Sequence, residues 1–168
     1  MLVLEQPFVV RRFQPEDLKS VMEINLRALP ENYTASFFLD IHRGSPDSFL
    51  IAEIDRNTVG YIMCRIEFGF SDLRRFRMIR KGHVVSVAVL PEYRHRGIGT
   101  ALISTGLQAM QVKGVEECFL EVRTTNEAAI QLYKDLGFTV IRVAAGYYHD
   151  GADACVMSRS LKEEPSVQ

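Results

Sequence analysis

Apolar and polar positions along this chain repeat with two different periods, and the switches between them mark its elements. Phe8 to Phe13 reads as a short strand, after which Pro15 opens a segment with Leu18, Val21, Met22 and Ile24 at helical spacing. Leu29-Pro30-Glu31-Asn32-Tyr33 interrupts that helix, because proline disfavours helical geometry in the residue before it. The break predicts an exposed elbow, and a second short helix follows through Phe37 to His42. Ser48 to Ile54 and Thr58 to Phe68 are rich in β-formers, and the polar turn Asp55-Arg56-Asn57 between them predicts an antiparallel hairpin.

Gly82 to Leu90 (GHVVSVAVL) is a nearly continuous apolar run, the pattern of a strand in the middle of a sheet. From Gly97 to Met110 the apolar positions Ile98, Ala101, Leu102, Ile103, Leu107 and Met110 recur at helical intervals, and Lys113-Gly114 supplies a stop. Glu116 to Arg123 reads as a strand, Asn126 to Leu136 as a helix ending at Gly137, and Phe138 to Ala144 as a strand that turns through Gly146 to Gly151. Ala152 to Ser160 closes the sheet. The order predicts an α/β chain: a βαβα core flanked at both ends by antiparallel strands, hence a mixed sheet.

A length of 168 residues suits one compact domain, and no repeat or low-complexity tract asks for another. The expected domain is 1–161, followed by a polar, poorly ordered tail over 162–168. A hydrophobic share of 47% excludes a disordered chain, and a net charge of −1 excludes binding nucleic acid through overall charge. Cys64, Cys118 and Cys155 lack metal-ligand or Cys/His spacing and read as reduced core residues, so neither a metal site nor a thiol nucleophile is expected. No apolar run approaches a membrane span, and Met1 to Gln6 lack a basic stretch followed by an apolar one, so a cytoplasmic protein is expected. Asp72 to Lys81 carries five basic residues between two strands. A solvated loop or short helix accounts for them, with ribosomal RNA or an acidic partner as the alternative, and no specific nucleic-acid function is read from them.

Arg94-His95-Arg96-Gly97-Ile98-Gly99 follows the apolar strand at once and, with Thr100, opens the next helix. Backbone amides therefore converge at the positive end of the helix dipole. Glycine at 97 and 99 allows close approach of a ligand, and Arg94 and Arg96 add charge for phosphate oxygens. A pyrophosphate suits this turn, although a tight strand-to-helix connection produces the same pattern. Asn126 heads the following helix and Tyr133, seven residues on, shares its face. Both can point at one ligand; equally, Asn126 can cap the helix and Tyr133 can pack against the sheet.

Arg-x-x-Gly-x-Gly after an apolar strand, with Asn126-Glu127-Ala128-Ala129-Ile130-Gln131-Leu132-Tyr133 beyond it, resembles the acetyl-CoA motif of the GNAT acetyltransferases, over nearly the whole chain. The resemblance implies a single-domain α/β GNAT fold with a mixed, mostly antiparallel central sheet, flanking helices and two central strands splayed apart. It implies acetyl-CoA as cosubstrate and coenzyme A as product. Val87, Ala88 and Val89 would offer their backbone to the pantetheine arm, Arg94 to Thr100 would grip the diphosphate, and Asn126 and Tyr133 would approach the sulfur. Leu29-Pro30-Glu31-Asn32-Tyr33, with Gly146-Tyr147-Tyr148 and Asp150-Gly151-Ala152-Asp153-Ala154, resembles the substrate-gripping loops of protein N-terminal acetyltransferase catalytic subunits, of the archaeal and NatA types. By that resemblance Leu29, Pro30 and Glu31 sit near the incoming first residue, Glu31 influences its choice, and Tyr33, Tyr147 and Tyr148 clasp the peptide from facing loops. The implied partners are protein or peptide N-termini beginning with Ser, Ala or Met, and the resemblance also brings a ribosome or an auxiliary subunit into view.

Acylating an amine requires its neutral form, yet an α-amino group with a pKa of about 8 is mostly protonated at neutral pH. A proton acceptor should therefore line the site. His83 begins the central strand and Glu121 lies on the strand expected beside it, so both can face one crevice and hold a water. The resemblance supports this pair, because N-terminal acetyltransferases place a base-like residue at these two strand positions. The other reading makes His83 a hydrogen-bonded strand histidine and Glu121 a partner of Arg123 or Arg65. After deprotonation the amine would attack the thioester directly, with a backbone amide near Val89 facing the oxyanion and Tyr133 protonating the departing thiolate. Rival expectations are a GNAT acting on lysine or a small amine, and a non-catalytic acyl-CoA-binding regulator.

Overall fold

A computed structural model describes residues 7–162; Met1 to Gln6 and the expected tail beyond Lys162 lie outside the described residues. The elements are β1 (Val9–Arg12), α1 (Leu18–Ala28), α2 (Ala35–Gly44), β2 (Phe49–Ile54), β3 (Asn57–Phe70), β4 (Met78–Val89), α3 (Ile98–Val112), β5 (Glu117–Arg123), α4 (Glu127–Asp135), β6 (Thr139–Ala144) and β7 (Ala154–Ser160). The strands form one seven-stranded sheet in the order β1-β2-β3-β4-β5-β7-β6. Strand β4 pairs with β5 in parallel, whereas β1 with β2, β2 with β3, β5 with β7 and β6 with β7 are antiparallel. No helix among the described residues is long and apolar enough to cross a membrane.

Three sequence expectations are corrected here. The β2–β3 turn holds only Asp55 and Arg56, at φ +47° and +65°, and Asn57 already belongs to β3. Positive φ at both central residues matches the right-handed twist of the two strands it joins. The basic run is only partly a loop: Asp72 to Arg77 lie in one between β3 and β4, with Leu73 to Arg77 exposed, but Met78 to Lys81 belong to β4. Arg80 donates to the Lys113 carbonyl at 2.6 Å, Arg77 pairs with Glu116 at 3.4 Å, and Lys81 is only 8% exposed. The last strand does not close the sheet, since β7 inserts between β5 and β6 and leaves β6 at the edge.

The chain divides into two compact units, one comprising residues up to Arg65 with Val84–Ala109, the other Ile66–His83 with everything from Met110 onward. In the first unit Val21 and Ile24 of α1 and Phe38 and Ile41 of α2 bury their apolar stripe against Phe49, Ile51, Tyr61, Met63 and Ala88. Phe13 stacks on Phe49 with centroids 4.0 Å apart. The Thr34 hydroxyl accepts the Phe37 N–H at 3.2 Å and so caps α2.

In the second unit α3 and α4 end alike. Gly114 lies at φ +80°, with Gly114 N–H donating to Gln111 O and Val115 N–H to Met110 O; Gly137 lies at φ +89°, with matching bonds to Lys134 O and Tyr133 O. This paired pattern satisfies the last carbonyls of each helix and needs glycine at the left-handed position. Gly82 has a different reason to be glycine: a Cβ there would lie 2.5 Å from the Met110 sulfur.

Within the first unit Arg11 ties β1 to α1 and β2, its guanidinium donating to both oxygens of Asp17, just before α1, at 2.8 Å and to Glu53 of β2 at 3.0 Å. The Arg11 bonds hold the Asp17 carboxyl below its ordinary pKa, helped by the Gln14 N–H. A depressed carboxylate pKa contributes stability that is present above the unfolded value and lost as pH falls through the folded one. Asp17→Asn should therefore lower Tm by about 3 °C at pH 7, and the gap to the parent should close below about pH 4, as read by thermal melts.

Candidate active site

In the first unit a 3-10 turn at Pro91–Tyr93 separates β4 from the glycine-containing segment, so the motif does not follow the strand directly as expected. His95 and Gly97 both take positive φ, +62° and +80°, which swings the chain into α3. The Gly97 carbonyl accepts the Ala101 N–H at 3.0 Å, making Gly97 the residue that caps the helix start. Ile98, Gly99 and Thr100 then carry first-turn amides that an α-helix leaves without partners in the preceding turn. A Cβ on Gly97 would meet nothing within 4 Å, so the residue is demanded by its backbone angle, in open space. Arg94 is pinned beside this turn by donating to the Val89 carbonyl at 3.0 Å, and the Arg96 guanidinium lies 5.3 Å from the Tyr93 ring centroid. Amide donors at a positive helix end, flanked by exposed Arg94 and His95, fit a diphosphate. Val87 and Val89 are half-buried and Ala88 is buried.

The elbow between α1 and α2 is organised by a residue that the hydrophobic pattern did not single out. Asn25, 1% exposed, donates from Nδ2 to the Glu31 carbonyl at 2.9 Å and to the Tyr61 hydroxyl at 3.1 Å. Its Oδ1 accepts the Tyr33 N–H at 3.3 Å and Asn32 Nδ2 at 3.4 Å. Tyr61 shares a 2.7 Å hydrogen bond with Ser86 of β4, and burial pushes the Tyr61 hydroxyl up to about 12 against the pull of those hydrogen bonds, so it stays neutral. Tyr33 stacks on Phe37 at 4.8 Å and its hydroxyl donates to the Val85 carbonyl at 3.5 Å. Glu31 and Leu29 are half-buried and Pro30 is exposed, so the elbow is only partly in solvent.

In the second unit His83 and Glu121 do meet. His83 Nε2–H donates to the Glu121 carboxylate at 2.7 Å, with side-chain exposures of 12% and 16%. Arg123, the alternative partner for Glu121, pairs with Asp150 at 2.8 Å and lies over the Tyr148 ring at 4.2 Å. Asp150 also accepts the Ala152 N–H, and this bond, with the Arg123 bond after it, holds its carboxyl below the ordinary carboxylate range. Tyr147 and Tyr148 meet edge to face at 5.0 Å, and the Asp153 carboxylate accepts the Gly146 N–H at 2.8 Å, which fixes the loop that carries them. Asn126 caps α4, its Oδ1 accepting the Ala129 N–H at 3.1 Å, and Tyr133 packs edge to face on Phe138 at 5.9 Å. The packing readings for this pair are thus realised.

All three cysteines are buried, and no group of His, Cys, Asp or Glu among the described residues could hold a metal ion. A polar cavity of about 340 Å³, lined by Arg11, Asp17, Glu23, Arg27 and Glu53 among others, contains none of the candidate residues. Two of its arginines are already paired, Arg11 with Asp17 and Glu53, and Arg27 with Glu92.

Comparison with known proteins supplies the family. The Acetyltransferase (GNAT) family matches residues 18–138, and the chain belongs to it. It is an acetyltransferase that uses acetyl-CoA as cosubstrate. The chain is 47% identical over 154 residues to an N-alpha-acetyltransferase of Sulfurisphaera tokodaii, covering 90% of this chain and 92% of that protein. Its fold is similar to that of Ard1 from Thermoplasma volcanium, with a TM-score of 0.81 and 31% identity over 93% of this chain and 99% of that one. Naa20 of Chaetomium thermophilum, solved in complex with a bisubstrate analogue, is similar at a TM-score of 0.79 and 35% identity, covering 90% and 86% of the two chains.

Removing the Asn25 amide strands buried groups on the elbow and on Tyr61. Asn25→Ala is expected to cost about 2–3 kcal/mol in urea denaturation, well above the effect of an exposed substitution.

Proposed function

We propose that this acetyltransferase acts on the α-amino group of protein N-termini, with the His83–Glu121 pair taking the proton that the amine must lose. The observation that carries the reading is the 2.7 Å hydrogen bond joining those two partly buried side chains. The N-alpha-acetyltransferase relative and the Ard1 and Naa20 structures support the choice of acceptor.

Acetyl-CoA supplies the acetyl group as an activated thioester. The amides of Ile98, Gly99 and Thr100, with Arg94 and Arg96, hold the diphosphate, and the backbone of Val87 to Val89 receives the pantetheine arm. Tyr33, Tyr147 and Tyr148 hold the peptide backbone, and Glu31, Leu29 and Pro30 bias the first residue toward Ser, Ala or Met. Glu121, oriented by the His83 N–H, accepts the ammonium proton through a water, and the neutral amine attacks the thioester carbonyl. A backbone amide near Val89 faces the developing oxyanion, and the Tyr133 hydroxyl returns a proton to the departing thiolate. No side chain of the enzyme is acylated on this route.

Acetylation of peptides that vary in their first two residues, beside N-blocked lysine peptides and polyamines, tests the acceptor. Activity confined to free peptide N-termini is expected, and preferential acetylation of lysine or polyamine would overturn it. His83→Ala and Glu121→Gln should each lower kcat by about 100-fold or more while calorimetric affinity for coenzyme A stays within about 2-fold, because both act on the acceptor's proton. Unchanged turnover in both variants removes the pair from the mechanism.

A further inference from the structure

We infer that Phe119 is a positioning residue that sets the plane of the His83 ring, an inference that rests on the catalytic reading of His83 and Glu121. In the parallel ladder between β4 and β5, His83 is paired directly with Phe119. Alternate residues of a strand share a face, so Lys81 and His83 on β4 and Phe119 and Glu121 on β5 project to the same side. Glu121 thus reaches His83 diagonally, two residues along β5, while Phe119 lies straight across from it.

The last torsion of a histidine side chain has a broad energy profile. The bond from Nε2 to Glu121 defines where that nitrogen sits but not the tilt of the ring about it. Phe119 adds a constraint on that tilt. Its ring lies 4.4 Å from the imidazole, centroid to centroid, with the two planes only 5° apart. Tilting the imidazole would break this contact along one edge and press into the phenyl ring along the other.

Phe119 is itself held in place. Lys81 Nζ lies 4.6 Å from its ring centroid, and the same ammonium donates to Asp72 at 2.9 Å and to the Phe70 carbonyl at 3.0 Å. Asp72 in turn accepts the Ser158 hydroxyl at 3.1 Å. The buried ammonium therefore has a fixed address, and the phenyl ring under it has little room to turn. Control passes from Asp72 to Lys81, Phe119, His83 and finally Glu121, and only the last two handle the proton.

Phe119→Leu keeps an apolar side chain but removes the flat partner, whereas Phe119→Tyr preserves it. The leucine variant should lose about 10-fold in kcat with the KM for acetyl-CoA unchanged, and the tyrosine variant should stay within about 2-fold of the parent. In a His83→Ala background the leucine change should have no further effect, because it acts only through the ring. The His83 Nε2–H resonance in ¹⁵N-histidine spectra should be sharp in the parent and tyrosine proteins and broadened in the leucine variant. Lys81→Met, which loosens the phenyl ring from the other side, should shift kcat and the resonance in the same direction and serves if the leucine variant does not fold. Parent-like kcat with an unaltered resonance, or an equal loss in the His83→Ala background, overturns the inference. If His83→Ala alone leaves kcat intact, the base assignment falls, and the resonance still decides whether Phe119 orients the ring.

Discussion

Strand β4 sits fourth among seven, with a neighbour on either side, and its buried polar groups must find partners inside the protein. Beyond its ladder bonds to the neighbouring strands, several of the partners it finds are residues of the candidate site or their supports. Ser86 bonds Tyr61, which bonds Asn25, while the Val85 carbonyl takes the Tyr33 hydroxyl and the Val89 carbonyl takes Arg94. His83, on the same strand, takes Glu121. Within the first unit, satisfying Val85, Ser86 and Val89 places the elbow and the arginine beside the glycine turn; within the second, His83 is satisfied by Glu121.

Polar groups buried this deeply stabilise a fold only when every member is bonded, since an orphaned donor or acceptor costs about 1–3 kcal/mol. Asn25 meets that condition with donors and acceptors on both sides of its amide. The arrangement favours one elbow conformation over others of similar hydrophobic burial. Lys81 follows the same rule in the second unit, a nearly buried ammonium matched by Asp72, the Phe70 carbonyl and the Phe119 ring. In both places the hydrogen bonds that satisfy buried polar groups also hold residues of the proposed site.

The chemistry asks little of the chain beyond placement. An activated thioester needs a neutral amine and a nearby proton acceptor, and in the proposed mechanism a partly shielded carboxylate with a histidine donor answers that need. In the proposed mechanism the helix start answers a separate one, since amides and arginines can bind phosphate without changing protonation state. Because the two tasks use different residues, substitutions can separate cosubstrate affinity from turnover.

What the linear pattern determined was local. Every strand and helix read from periodicity is present, and the glycines at 97, 114 and 137 sit where a positive φ is required. A period of two lets His83 and Glu121 share a side but leaves the register between their strands open, and that register comes from the packed sheet. The tertiary structure decided whatever depends on residues far apart in the chain. The insertion of β7 between β5 and β6, the Asn25 bond to a tyrosine 36 positions away and the Ser158 bond to Asp72, 86 positions away, leave no periodic trace. A lone asparagine in an amphipathic helix, or a phenylalanine in a strand, looks the same in sequence whether it fills space or orients a neighbour. Only the packed chain distinguishes the two, because hydrogen bonds and ring contacts are short-ranged and form only once distant segments are brought together.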